Sequence, residues 1–155
     1  MNQYRILFFV WFTSVILIAF ACSAWCQAGV SITPGYIKED KKAVEQKIEE
    51  FHSLLRIRDY EKIYDQMHPA FQAAESKEEH LRRLREIADR FGRPDKVTDS
   101  RIEVIVGAPV QVRAVTNTRF EKQDATEMFN FVKEGSSYKL VQYGISAGAT
   151  PIPKE

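Results

Sequence analysis

Between Val44 and Phe91 the apolar residues return every three or four positions, and from Ile102 to Ile145 they return every second. The first period belongs to helices with one buried face, the second to strands of a half-covered sheet. Three helices are predicted. Val44, Ile48, Phe51 and Leu55 share one face of a helix running from about Glu39 to Arg58. Asp59 is a good N-cap for a short second helix, whose stripe is Tyr60, Ile63, Tyr64 and Met67. Pro69 is expected to stop it, because the residue before a proline avoids helical geometry. Ser76 and Glu79 form a capping box that opens a third helix, with Leu81, Leu84, Ala88 and Phe91 inward and Gly92 and Pro94 as its stop signal.

Beyond Lys96 the pattern predicts four strands. Ile102, Val104 and Val106 alternate in the first, which ends at Gly107-Ala108-Pro109. Val110, Val112, Ala114, Thr116, Thr118 and Phe120 share one face of a long second strand. In the third, Glu127, Phe129 and Phe131 oppose Met128, Asn130 and Val132, and after a Glu134-Gly135 turn the fourth runs from Tyr138 to Ile145. Short polar turns between such runs imply an antiparallel meander. Helices first and strands afterwards make an α+β fold, three N-terminal helices packed on a four-stranded sheet.

The N-terminus changes the picture. Arg5 precedes the uncharged run from Ile6 to Ala21, which is shorter than the about 20 apolar residues a membrane span needs. This is the pattern of a secretory signal, residues 1–28, cleaved after Ala28. A leader (29–38), a domain (39–147) and a flexible tail (148–155) follow. Export places the domain in the periplasm or outside the cell. Ala19-Phe20-Ala21-Cys22 also resembles a lipobox, and lipidation at Cys22 would tether the domain to a membrane. Both cysteines, Cys22 and Cys26, fall within the signal, so the mature chain has no disulfide framework and must hold itself by packing. Loss of Arg5 leaves 21 Lys and Arg against 21 Asp and Glu. A neutral domain has no overall drive toward nucleic acid.

From Glu39 to Ser146 the element order, the Asp59-Tyr60-Glu61 helix start, and the closing run Glu134-Gly135-Ser136-Ser137-Tyr138-Lys139-Leu140-Val141-Gln142-Tyr143-Gly144-Ile145 resemble the nuclear-transport-factor-2-like superfamily, the SnoaL-like or cystatin-like cone. Tyr138 stands where that family more often has tryptophan. The resemblance implies a strongly curved sheet wrapped around a long first helix to enclose a pocket, and exported bacterial domains of unassigned function as relatives.

Some enzymes of that superfamily, such as ketosteroid isomerases, set a carboxylate on the sheet as a general base. The second strand's apolar face offers no acid, and Glu127 on the third is the candidate, expected at an exposed rim. Tyr60, Tyr64 and His68 at i, i+4 and i+8, with Tyr143 approaching from the sheet, are the candidate ligand-binding set, with His68 as hydrogen-bond partner or proton shuttle. The plainer reading makes the tyrosines amphipathic core residues and His68 a helix end. Glu49-x-x-His52 has the spacing of a di-iron ligand pair, but such sites need two copies and further glutamates. No metal site and no cofactor are predicted. Phe129 and Phe131, read as an outer-face apolar patch, are the candidate homodimer contact. The function expected is an exported, non-enzymatic domain that binds a small apolar ligand or a protein partner. The alternatives are an enzyme of the ketosteroid-isomerase type using Tyr64, His68 or Glu127, and an envelope lipoprotein scaffold anchored at Cys22.

Overall fold

A computed structural model of the chain describes residues 34–150 and 152; the signal, Cys22 and the start of the leader lie outside them. Four helices, α1 (Pro34–Arg56), α2 (Tyr60–Asp65), α3 (Pro69–Ala74) and α4 (Lys77–Phe91), precede four strands. The strands are β1 (Pro94–Ile105), β2 (Gln111–Phe120), β3 (Asp124–Glu134) and β4 (Ser137–Ala147), paired antiparallel in the order β1-β2-β3-β4. The class is α+β, with helices packed on an antiparallel meander.

α1 begins at Pro34, inside the stretch expected to be leader, and its stripe Val44, Ile48, Phe51 and Leu55 is buried as the period requires. The turn that closes it reaches Arg58, whose φ of 60° is left-handed. Asp59 N–H donates to Leu54 O and Arg58 N–H to Leu55 O, a Schellman closure that normally uses glycine. An L-residue there costs about 1–2 kcal/mol, partly offset by glycine's greater freedom in the unfolded chain. Arg58→Gly is therefore expected to stabilise the fold by about 0.5–1 kcal/mol, read as a rise in thermal midpoint; a fall would mean that the arginine side chain contributes more than its backbone costs.

Among the described residues the helices number four, not three, because Pro69 starts a helix instead of only ending one. Proline suits the first helical position, where its missing N–H has no intrahelical partner to lose. The N-cap is His68, whose Nδ1 accepts from Ala70 N–H at 3.0 Å. Ser76 caps α4, with Oγ accepting from Glu79 N–H at 3.2 Å, the first half of the expected box.

α1 lies on β1 and β4, α2 against α1 and α4, and α3 against β4. Between helices and sheet the core is aromatic. Phe51 meets Phe129 edge-on at 5.4 Å and Tyr143 at 4.6 Å, and Phe91 packs on Phe120 at 5.7 Å. Each such side chain contributes about 1.5–3 kcal/mol on burial. β4 carries one extra residue, Val141: Phe131 pairs with Leu140 while Asn130 pairs with Gln142. This bulge lets Tyr138 and Leu140 face inward on one side of it and Tyr143 on the other.

The described part of the segment after β4 is hydrogen-bonded to the sheet. Gly148 N–H donates to Asp124 O, Thr150 N–H to Thr126 Oγ1, and Asn117 Nδ2 to Thr150 O at 2.7 Å. These bonds lay it across the outer sheet face and bury Asn117 there.

Candidate functional site

Glu127, on β3, is a fully buried polar group of the core. Strand alternation puts it on the same inward face as Phe129 and Phe131, which are buried as well. The outer patch expected of those two rings is therefore corrected: they are core, because that face of β3 meets α1, and they offer no dimer contact. The rim position expected of Glu127 is corrected for the same reason.

Glu127 has a partner for each oxygen. Tyr143 Oη donates to Oε1 at 2.7 Å, and His52 Nε2, on α1, lies 2.9 Å from Oε2. In the tautomer with Nε2 protonated, the ring N–H donates to the carboxylate. Phe51, Phe120 and Phe129 surround the imidazole. Burial, then the Glu127 charge beside it, pushes the Tyr143 hydroxyl well above the usual tyrosine range. A general base must reach the proton that it removes. Glu127 has no exposure and no unengaged oxygen, so its geometry is that of a core tie between α1, β3 and β4.

The four residues expected at one pocket mouth do not converge. α2 ends at Asp65, so His68 never reaches the i+8 position of a continuing helix. His68 caps α3, and with Nδ1 accepting from Ala70 its proton sits on Nε2, 3.0 Å from Glu134 Oε1. Tyr64 Oη lies 3.0 Å from Glu75 O and 3.2 Å from Gln72 O, strapping down the end of α3. Tyr60 is buried, its hydroxyl without a partner among the described residues and its pKa raised by that burial. Tyr143 belongs to the core tie.

His52 is the residue whose role the sequence reading missed. Its i−3 neighbour Glu49 is no partner for it, since Glu49 pairs with Arg56 at 2.8 Å on the surface. The signal was its place at i+4 from Ile48 and i−3 from Leu55, inside the apolar stripe, which demanded a buried partner. His80 makes a second buried cluster: Nδ1 is 3.0 Å from Glu75 Oε2, an oxygen that Arg83 also holds. Burial lowers the His80 pKa against the pull of Glu75.

A cavity of about 250 Å³ opens between α1, α2 and the β3–β4 hairpin. Phe51, Ile63, Met67, Phe131 and Leu140 line its floor. On one side of the rim Glu50 accepts from Lys47 Nζ at 2.8 Å and from Gln66 Nε2 at 2.9 Å, and the lysine above all holds its carboxyl below the usual range. On the other side lie Ser137, Tyr138 and Lys139 of β4. The arrangement suits an apolar group with a few polar contacts at the mouth. Among the described residues no group of three or more His, Cys, Asp or Glu could hold a metal ion, and no helix is long and apolar enough to cross a membrane.

No family model and no curated protein matches the chain. Among solved structures, Bdellovibrio bacteriovorus Bd1075 is similar with a TM-score of 0.48 and 9% identity, over 77% of this chain. The chain covers 45% of that structure, less than half its length.

Proposed function

We propose that the chain is an exported, non-enzymatic binding domain of the nuclear-transport-factor-2-like cone type, and that the cavity between α1, α2 and the β3–β4 hairpin receives an apolar group of its ligand. The cavity carries this reading: five apolar side chains line about 250 Å³ beneath a hydrogen-bonded polar rim. That volume is just under the range of about 300–1,000 Å³ common for ligand sites, so it suits a short chain or one large side chain. The closure of Glu127 by His52 and Tyr143 supports a binding role over proton abstraction. Helices preceding an antiparallel meander, with the long α1 laid on β1 and β4, support the cone assignment. The pattern of residues 1–28 supports export.

A series of straight-chain alcohols from butanol upward tests the site by calorimetric titration. Each methylene placed on the floor is worth about 0.8 kcal/mol, or about fourfold in affinity, until the cavity fills. Gln66→Trp, at the half-buried rim, is expected to plug the mouth and abolish the binding while leaving the core intact. Affinity that ignores chain length, or survives the plug, would place apolar binding elsewhere.

A further inference from the structure

β4 is an edge strand, and the part of it that borders the cavity carries unused backbone groups. The two-residue loop Gly135-Ser136 makes Glu134 and Ser137 the first pair of the hairpin. In such a hairpin this first pair is hydrogen-bonded, and antiparallel pairs then alternate between bonded and non-bonded. Tyr138, opposite Lys133, is therefore a non-bonded position whose N–H and C=O turn to the free edge, and Leu140, opposite Phe131, is the next. Leu140 confirms the phase, because its carbonyl accepts from His68 N–H at 2.9 Å, outside the sheet. Among the described residues no such bond reaches Tyr138. A donor and an acceptor on one residue, spaced as in a strand, match the C=O and N–H of one residue of another extended chain.

The charges at the mouth add a second requirement. Lys47 and Glu50 neutralise each other, whereas Lys139 has no ion-pair partner among the described residues. Tyr138 and Leu140 face inward, so Lys139 stands on the opposite face of β4. In a strand added beside β4, the residue next to one pointing into the cavity lies on the Lys139 face.

We propose that the apolar group is delivered by a short extended peptide of a partner protein, which pairs with Tyr138 at the β4 edge, sets one apolar side chain in the cavity and places an acidic side chain beside Lys139. The proposal rests on the binding role of the cavity. His68 closes the edge at Leu140 and the hairpin ends at Ser137, so the added strand is short and the recognised motif is two or three residues long.

The test alters the peptide instead of the fold. The full-length protein is titrated with the blocked peptide acetyl-Ala-Glu-Leu-Ala-amide, with the same peptide N-methylated at leucine, and with one carrying lysine in place of glutamate. N-methylation removes the N–H that Tyr138 C=O would accept and is expected to weaken binding about tenfold. The charge reversal is expected to weaken it about threefold, and Lys139→Glu to reverse that preference. Equal binding of the methylated peptide overturns strand pairing. Alcohols that bind where the peptide does not overturn the peptide and leave the cavity reading standing; if neither binds, both readings fall.

Discussion

Glu127→Ala is expected to destabilise the fold by about 3–5 kcal/mol, because it leaves His52 and the Tyr143 hydroxyl buried with nothing to receive their protons. Against the total stability of about 5–15 kcal/mol of a typical domain, that is a large share. The loss should appear as a fall in the urea midpoint at unchanged slope. The same physics predicts the opposite for a concerted change. Replacing a buried charged cluster with apolar residues of similar size is often neutral or stabilising, since it also removes the desolvation cost of the charge. His52→Leu, Glu127→Leu and Tyr143→Phe together should therefore recover most of what Glu127→Ala loses. A single substitution costing under about 1 kcal/mol would mean that water reaches the glutamate, and would reopen its candidacy as a base.

Gly92→Ala should cost about 2–4 kcal/mol, by an unrelated mechanism. Gly92 caps α4 with φ 81° and ψ −158°, a region that essentially only glycine enters, at about 1–3 kcal/mol for other residues. It also has no room: an added Cβ would lie 2.8 Å from Glu121 Cβ. The neighbourhood cannot easily give way. Glu121 N–H donates to Arg93 O and Lys122 N–H to Phe91 O, both at 3.0 Å, so the end of α4 is sewn to the β2–β3 turn. Gly135→Ala is the control, with a positive φ of 61° but nothing within 4 Å of an added Cβ. A larger loss at Gly92 is expected, from its more restricted backbone region and its crowding together; equal thermal shifts for the two variants would mean that neither adds anything beyond a positive φ.

Local rules carried much of the fold. The stripe of α1, the Asp59 cap, the Ser76 box and the Gly92 stop depend on neighbours within a few residues, and each was legible before any tertiary information. Pro69 was ambiguous because a proline ends one helix and begins the next equally well, and only the backbone around His68 decides between them. The site was harder to read for a reason of range. His52 and Glu127 are 75 residues apart, and neither signals alone whether its partner is water or the other. Phe129 and Phe131 misled because both faces of β3 carry apolar residues, so alternation defined two faces without saying which one meets α1. The cavity was not legible at all, since it is the space left between side chains from three separated segments.

The extra residue at Val141 has a consequence for how β4 can change over time. It acts as a frame shift within one strand: on the hairpin side the inward positions are Tyr138 and Leu140, and on the far side the first is Tyr143. The half that borders the cavity and the half that anchors the buried glutamate thus keep separate phase. The end that borders the cavity can be rewritten residue by residue while the other end stays in step with α1. A strand divided in this way can change at one end without disturbing the packing of the other.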